Sequence, residues 1–169
     1  RAIATAEECE RLTSSEQKES RQRRVAVLMG SGSDRPVMQR AADTLEKFGI
    51  DHVVMVLSAH KTPDQAFEFA SSAANDGFAV IIAGAGKAAH LAGVMAAKTT
   101  LPVIGVPLSA SLDGLDALLA TVQMPTGVPV ATVAIDGAVN AALLAVAILA
   151  LSDKDLAAAL SSYRAELAE

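Results

Sequence analysis

The chain has 169 residues and a formal net charge of −5, which favours one domain and argues against a nucleic-acid-binding surface. Hydrophobic residues make up 51% of the sequence and aromatic residues 3%, so the core is built from Ala, Val, Leu and Ile. The longest apolar run, residues 141–151, is too short to span a membrane. The single cysteine, Cys9, excludes an intramolecular disulfide, and since the N-terminus lacks an apolar signal core we expect a cytoplasmic protein.

Residues 1–24 differ in composition from the rest of the chain. They contain six basic and five acidic side chains and few large apolar ones. We interpret this segment as an N-terminal extension or a disordered tail, and residues 25–169 as a single α/β domain.

Short apolar runs alternate with helical patterns along that domain. The runs predict five strands, at residues 25–29, 53–57, 78–83, 103–106 and 128–135. A helix is expected after each strand, the last of these at residues 138–151, and a further helix runs towards the C-terminus. This alternation predicts a parallel sheet with helices on both faces and right-handed crossovers.

Polar residues at the predicted helix starts indicate how the helices are capped. Asp34 precedes Arg35-Pro36 and is expected to cap the first helix. Thr62 has Gln65 three residues later, which is the spacing of a capping box. Ser152, with Asp155 three residues on, is expected to cap the last helix.

Residues 80–107 read as a strand, a glycine-rich turn, a helix and a second strand, which is a βαβ unit. We expect the turn to pass through Gly84 and Gly86. Because the side chains there are almost all Ala and Gly, a ligand could touch the backbone. His90 stands out at the helix start, where its neighbours are small.

The helix predicted at residues 138–151 is apolar on nearly every side. A helix of this kind has to be buried all round. A domain of this size cannot easily bury an outer helix completely, so we predict a homo-oligomer.

The first polar loop, Gly30-Ser31-Gly32-Ser33-Asp34, follows the first strand. Its hydroxyls and glycines precede a helix N-terminus, a combination that suits a phosphate. The spacing is that of neither a P-loop nor a dinucleotide-binding fingerprint. The alternative is a capped strand-to-helix turn, and Asp34 either holds ribose hydroxyls or serves as the cap.

The second polar loop contains Ser58, Ala59, His60 and Lys61. His60 is the best candidate for a general acid–base, because histidine changes charge near neutral pH. Lys61 offers a cation to a phosphate. The alternative is that His60 is an ordinary surface residue.

The third loop runs through Gly84, Ala85, Gly86, Lys87, Ala88, Ala89, His90 and Leu91. Its backbone could grip a flat heterocycle or a carboxylate. His90 is either a site residue or a structural histidine, and Lys87 is either a site residue or a solvated side chain. His52 is interpreted as a bystander. All three loops follow strands, so they share the sheet edge where open α/β sheets bind ligands.

These three loops, together with Gln123-Met124-Pro125, resemble the signatures of a purine-biosynthesis family. It comprises the N5-carboxyaminoimidazole ribonucleotide mutases and the aminoimidazole ribonucleotide carboxylases. The match covers about residues 25–165, in order and at the family's spacing. The resemblance implies a three-layer αβα, flavodoxin-like fold with a doubly wound, five-stranded parallel sheet. It also implies a homo-octamer that uses neither a metal nor an organic cofactor.

The implied reaction moves the carboxyl group of N5-carboxyaminoimidazole ribonucleotide from the exocyclic nitrogen to carbon 4 of the ring. By resemblance, His60 is the proton shuttle and Lys61 binds phosphate. The remaining residues implied to bind the phosphorylated aminoimidazole ribonucleotide are Ser31, Gly32, Ser33, Asp34, Ser58, Ala59, Gly84, Ala85, Gly86, Lys87, Ala88, His90 and Leu91.

Three positions depart from the family pattern. Lys61 stands where the mutases usually have Arg, Lys87 where Gly is commonest, and Ala92 where Pro is commonest. The carboxylases often have Lys at position 61, but they usually replace the glycine–alanine run that is intact here. The mutase is therefore the first hypothesis, a carboxylase that uses CO2 directly is the alternative, and a non-catalytic nucleotide-binding module is a third.

Overall fold

The computed structural model describes residues 24–168. Its strands are β1 (Arg24–Met29), β2 (His52–Val56), β3 (Phe78–Gly86), β4 (Val103–Leu108) and β5 (Ala131–Thr132). Its α-helices are α1 (Arg35–Lys47), α2 (Pro63–Ser72), α3 (Leu91–Ala96), α4 (Leu115–Val122), α5 (Ala138–Ala150) and α6 (Lys154–Glu166). The predicted N-terminal extension and Cys9 lie outside the described residues, apart from Arg24, which begins β1.

The five strands form one parallel sheet in the order β2-β1-β3-β4-β5. Val25 and Met29 of β1 face a core shared with α1, α5 and α6. Ala26 and Leu28 face a second core shared with α2 and α3. Because alternate residues of β1 are buried on opposite faces, helices cover both sides of the sheet. This confirms the three-layer, flavodoxin-like arrangement.

Gly84 and Gly86 do not form the predicted turn, because β3 continues through both and pairs with β4. A Cβ atom on Gly84 would overlap the sulfur of Met38, and one on Gly86 would lie 2.8 Å from the Cβ of Ala110. These glycines let neighbouring chains pack closely against the strand. The chain turns one residue later, at Lys87, where φ is 56°.

The fifth strand is much shorter than the predicted residues 128–135. Only Ala131 and Thr132 pair with β4 in regular parallel register. Pro129 has no amide proton to donate, which limits pairing before this point. Beyond it, Asp136 adopts a left-handed φ of 56°, although its amide still donates to Pro107 O at 2.9 Å.

The last helix is capped one residue later than predicted. Asp153, not Ser152, occupies the N-cap of α6. Its Oδ1 accepts hydrogen bonds from the amides of Asp155, at 3.0 Å, and Leu156, at 3.1 Å. A carboxylate at this place satisfies two free amides and favours the positive end of the helix dipole.

Helix α5 is buried on one side only within the single chain. Six of its residues lie against the sheet, α1 and α6, namely Ala138, Ala141, Ala142, Ala145, Val146 and Leu149. Leu143, Leu144 and Ile148, on its other side, are half-buried. None of the helices between residues 24 and 168 is long and apolar enough to cross a membrane.

Candidate active site

The chain leaves β1 to form β2 on one side and returns to form β3 on the other side. The point where strand order reverses opens a crevice at the carboxyl ends of β1 and β3, which is where sheets of this type bind ligands. The three predicted loops follow β1, β2 and β3, so all three lie at this edge of the sheet. His52 begins β2, so it lies at the opposite, amino end of the sheet.

A cavity of about 460 Å³ lies in this crevice. Twelve of the predicted site residues line it, namely Ser31, Ser33, Asp34, Ser58, Ala59, His60, Lys61, Ala85, Gly86, Lys87, Ala88 and Leu91. The fold therefore brings together predicted residues up to 60 positions apart in the chain, from Ser31 to Leu91.

Three predicted residues are not part of the cavity lining, and two lining residues were not among those predicted. Gly32, Gly84 and His90 do not line it. Gly84 is buried beneath Met38, and His90 instead contacts His60. The two additional lining residues are Gly30 and Ala110, and Ala110 could have been found from its place just after β4, at the same sheet edge.

The first loop is held by its own polar groups. Ser31 Oγ accepts hydrogen bonds from the amide and the hydroxyl of Ser33, at 3.3 and 2.9 Å. Asp34 Oδ2 accepts one from the amide of Ser31 at 3.0 Å. The prediction that Asp34 caps the following helix is wrong, since its side chain makes no cap hydrogen bond to α1. The carboxylate instead bonds the amide of Ser31, which precedes it in the same loop.

Burial raises the pKa of the Asp34 carboxyl above its usual value of 3.8. The hydrogen bonds from Ser31 and Ser33 and the positive charge of Lys61 act in the opposite direction but do not cancel this effect. The carboxyl group is therefore partly withdrawn from water and lies within the electrostatic reach of Lys61.

The second loop is closed by a reciprocal pair of contacts. Thr62 Oγ1 accepts a hydrogen bond from the amide of Ser58 at 3.0 Å, and the amide of Thr62 donates to Ser58 O at 3.0 Å. Ser58 Oγ accepts hydrogen bonds from the amides of Lys61, at 3.1 Å, and His60, at 3.4 Å. The predicted capping box with Gln65 is wrong, because the Thr62 side chain closes this loop and does not cap α2.

His60 and His90 form a direct contact across two loops. Nε2 of His60 lies 2.8 Å from Nδ1 of His90, and the ring planes meet at 74°. One nitrogen must carry a proton and the other a lone pair, so the tautomers of the two rings depend on each other. Both side chains are exposed. The pair can therefore hold a mobile proton at the edge of the cavity.

The third loop adds one charged side chain to a wall of Ala and Gly. Lys87 lines the cavity and is exposed. Nearby, the hydroxyl of Ser111 donates a hydrogen bond to Asp116. This bond is the main cause of a lowered pKa for the Asp116 carboxyl, and the charge of Lys87 lowers it further.

The cleft thus combines hydroxyls, two lysines, a carboxylate and a histidine pair. The hydroxyls and lysines suit an anion such as a phosphate, and the histidines suit proton transfer. Between residues 24 and 168, no group of three or more His, Cys, Asp or Glu side chains is arranged to hold a metal ion.

A family model described as AIR carboxylase matches residues 24–169. The N5-carboxyaminoimidazole ribonucleotide mutase of Mycobacterium leprae is 58% identical over 151 residues, which are 89% of this chain and 88% of that protein. The chain belongs to the AIR carboxylase family. The family resemblance found in the sequence motifs is thereby confirmed.

Two further members of the family place the match in context. The chloroplastic phosphoribosylaminoimidazole carboxylase of Vigna aconitifolia is 55% identical over 146 residues, which are 86% of this chain but only 26% of that protein. The crystal structure of Treponema denticola PurE superposes with a TM-score of 0.78 at 32% identity, covering 86% of this chain and 91% of that chain. The family therefore shares this fold over nearly all of the described residues.

Proposed function

We propose that this chain is an N5-carboxyaminoimidazole ribonucleotide mutase that forms 4-carboxy-5-aminoimidazole ribonucleotide in purine biosynthesis. The observation that carries the proposal is the cleft in which all three motif loops meet beside His60. The Mycobacterium leprae relative of that name, matched along 88% of its length, supports the mutase over the longer plant carboxylase.

The first loop and Lys61 bind the phosphate of the substrate. Ser31 and Ser33 present hydroxyls 2.9 Å apart, and Lys61 adds a positive charge without the two-pronged geometry of arginine. Asp34 orients the loop by holding the amide of Ser31 and is placed to accept a hydrogen bond from the ribose. These contacts position the imidazole ring towards His60.

His60 moves one proton between two atoms of the substrate. As the N–C bond breaks and CO2 leaves, the exocyclic nitrogen takes a proton from His60. Carbon 4 then attacks the CO2, forming a C–C bond, and the ring proton on carbon 4 returns to His60. The proton is conserved over the cycle, so no external acid or base is consumed.

The small residues of the third loop confine the CO2 between these two steps. Ala85, Gly86 and Ala88 give the cavity wall no side chain larger than a methyl group at those positions. A wall of this kind lets the backbone approach the ring closely. Holding CO2 beside carbon 4 replaces a bimolecular step by an effectively intramolecular one.

The dependence of turnover on bicarbonate tests the proposal against the carboxylase. A mutase converts N5-carboxyaminoimidazole ribonucleotide at a rate that added bicarbonate does not change. Turnover that starts from the uncarboxylated ribonucleotide and requires CO2 would establish the carboxylase instead. Binding without any turnover would leave only a nucleotide-binding module.

Replacing His60 tests the proton step. We expect His60→Asn to lose at least about 100-fold in kcat, the scale of one general acid–base contribution, and to keep its affinity for the product. Unchanged turnover would refute the role of His60. Lys47→Ala, on the exposed last turn of α1, is the control and should turn over like the wild type.

We also propose that the protein works as a homo-octamer in the cytoplasm. Leu112, which precedes α4, and Leu115 and Leu119 within α4 are exposed, and α5 leaves one apolar side half-buried. Assembly would cover these surfaces. Light scattering should give eight times the mass of one chain, and a monomer would contradict this proposal. Cell fractionation tests the compartment.

A further inference from the structure

Lys87 has an unusual backbone conformation for its residue type. The non-glycine residues with positive φ in the described part of the chain are Lys87, Leu112, Asp113 and Asp136. Of these, only Lys87 lines the cavity. A left-handed conformation is strained for any residue with a Cβ atom, and such strain concentrates at functional sites.

The backbone alone does not account for a lysine at this position. Glycine would adopt a φ of 56° without strain, and the loop already contains Gly86. The nearby lining residues Ala85, Gly86 and Ala88 are small, and Lys87 is the one charged side chain that the third loop adds to the cavity lining. What lysine adds at this position is therefore its ammonium group.

The two cavity lysines act on different sides of the cleft. The charge of Lys61 reaches Asp34 in the first loop, whereas the charge of Lys87 reaches Asp116 at the start of α4. Asp116 is already engaged by Ser111 Oγ and by the amide of Ala117. Among the described residues Lys87 forms no ion pair, so its ammonium is available to a bound anion.

We propose that Lys87 binds the carboxylate of the substrate and so distinguishes carboxylated from uncarboxylated ribonucleotides. This inference rests on the proposed function, whose substrate carries two anionic groups. The first loop and Lys61 take the phosphate on one side of the cleft. Lys87 lines the same cavity and stands three residues before His90, whose ring contacts His60.

A cation at this place stabilises both carboxylated forms of the nucleotide relative to free CO2. It stabilises the carboxylate on nitrogen and the carboxylate on carbon 4 alike, since both are anions. It stabilises uncharged CO2 less, so CO2 held in the cavity is drawn back into a carboxylate. Removing the charge should therefore weaken binding of both carboxylated nucleotides.

Calorimetric titration of the full chain with two ligands tests this. The ligands are 4-carboxy-5-aminoimidazole ribonucleotide and 5-aminoimidazole ribonucleotide, which share the phosphate and differ in the carboxylate. In Lys87→Ala we expect the Kd of the carboxylated ligand to rise about tenfold, the lower end of the effect of losing one charge-assisted contact. The Kd of the uncarboxylated ligand should change less than about twofold.

Three matched variants separate charge from backbone strain. Lys87→Arg keeps the charge and should bind like the wild type, and Lys47→Ala controls for loss of a distant charge. Lys87→Gly should weaken carboxylate binding as Lys87→Ala does. It alone should raise Tm, by about 2–4 °C, because it relieves the left-handed conformation.

Each alternative result would overturn the inference in a different way. Equal weakening of both ligands would place Lys87 on the phosphate, and no weakening would place it outside the site. Weakening in Lys87→Gly alone would assign the effect to loop conformation. The proposed function stands or falls separately, on turnover by the wild type, so loss of ligand discrimination and absence of activity are distinguishable.

Discussion

Replacing Gly84 by Ala tests whether this glycine serves packing or turn formation. A Cβ atom there would overlap the Met38 sulfur and lie 2.9 Å from its Cε and 3.0 Å from its Cγ. Met38 is completely buried, so it cannot swing into solvent. Overpacking of this kind costs about 3 kcal/mol at the upper end, and replacing Gly within a strand returns about 0.5–1 kcal/mol.

We therefore expect Gly84→Ala to lower the free energy of unfolding by about 2 kcal/mol and Tm by about 4–8 °C. Thermal and urea unfolding measure both. Gly32→Ala is the matched control, because its added Cβ meets nothing within 4 Å, and its stability should match that of the wild type. If Gly84→Ala is as stable as the wild type, the packing explanation is wrong.

A second substitution makes the Gly84 test specific to one contact. Met38→Ala alone leaves a buried cavity and should cost about 2–5 kcal/mol. Combined with Gly84→Ala, the new methyl group occupies part of that cavity, so the double variant should be more stable than the sum of the two losses predicts. Strict additivity would show that the two side chains do not share this space.

The amide of Gly30 donates to Gly84 O at 3.1 Å. A strand displaced by Gly84→Ala should therefore shift the first loop and also raise KM.

Two further predictions concern individual carboxylates. Burial raises the pKa of Asp34 in the folded protein, so its contribution to stability is largest below pH 3.8 and is lost as pH rises through the folded value. The side chain introduced by Asp34→Asn does not ionise, so the stability of this variant relative to the wild type should increase from pH 3 to pH 7. If urea unfolding shows that the difference in free energy of unfolding between the two proteins does not change with pH, the burial argument is wrong. Asp153→Ala should lower the free energy of unfolding by about 1 kcal/mol, because the helix loses its cap hydrogen bonds, whereas Ser152→Ala should lower it little. If thermal unfolding shows that Ser152→Ala is the more destabilising of the two, Ser152 is the cap after all.

The grouping of the residues that line the cavity was largely predictable, because it depends on loop position. Residues that follow parallel strands must meet at one edge of the sheet, whatever the details of packing. Ser31, His60 and Lys87 could therefore be grouped from the sequence alone. The contact between His60 and His90 could not, because it depends on where two side chains point after the loops are folded.

The helix caps show the same limit at a smaller scale. Asp34 and Thr62 have the residue type and the spacing of caps, yet both side chains bond within the preceding loop. A polar side chain near a helix start has several amides within reach. Which of them it bonds is decided by the path of the loop, and local sequence does not specify that path.

By itself, the sequence determined the alternation of strands and helices, the sheet edge that carries the site, and the family. These follow from hydrophobic periodicity and from residues close together in the chain. Only the tertiary structure decided that Gly84 and Gly86 belong to a strand, because this depends on their pairing with β4. It also decided that both positions need glycine, because Met38 and Ala110 pack against them from distant segments. It also decided the left-handed turn at Lys87, because β3 extends to Gly86 and the chain must reverse within the next few residues.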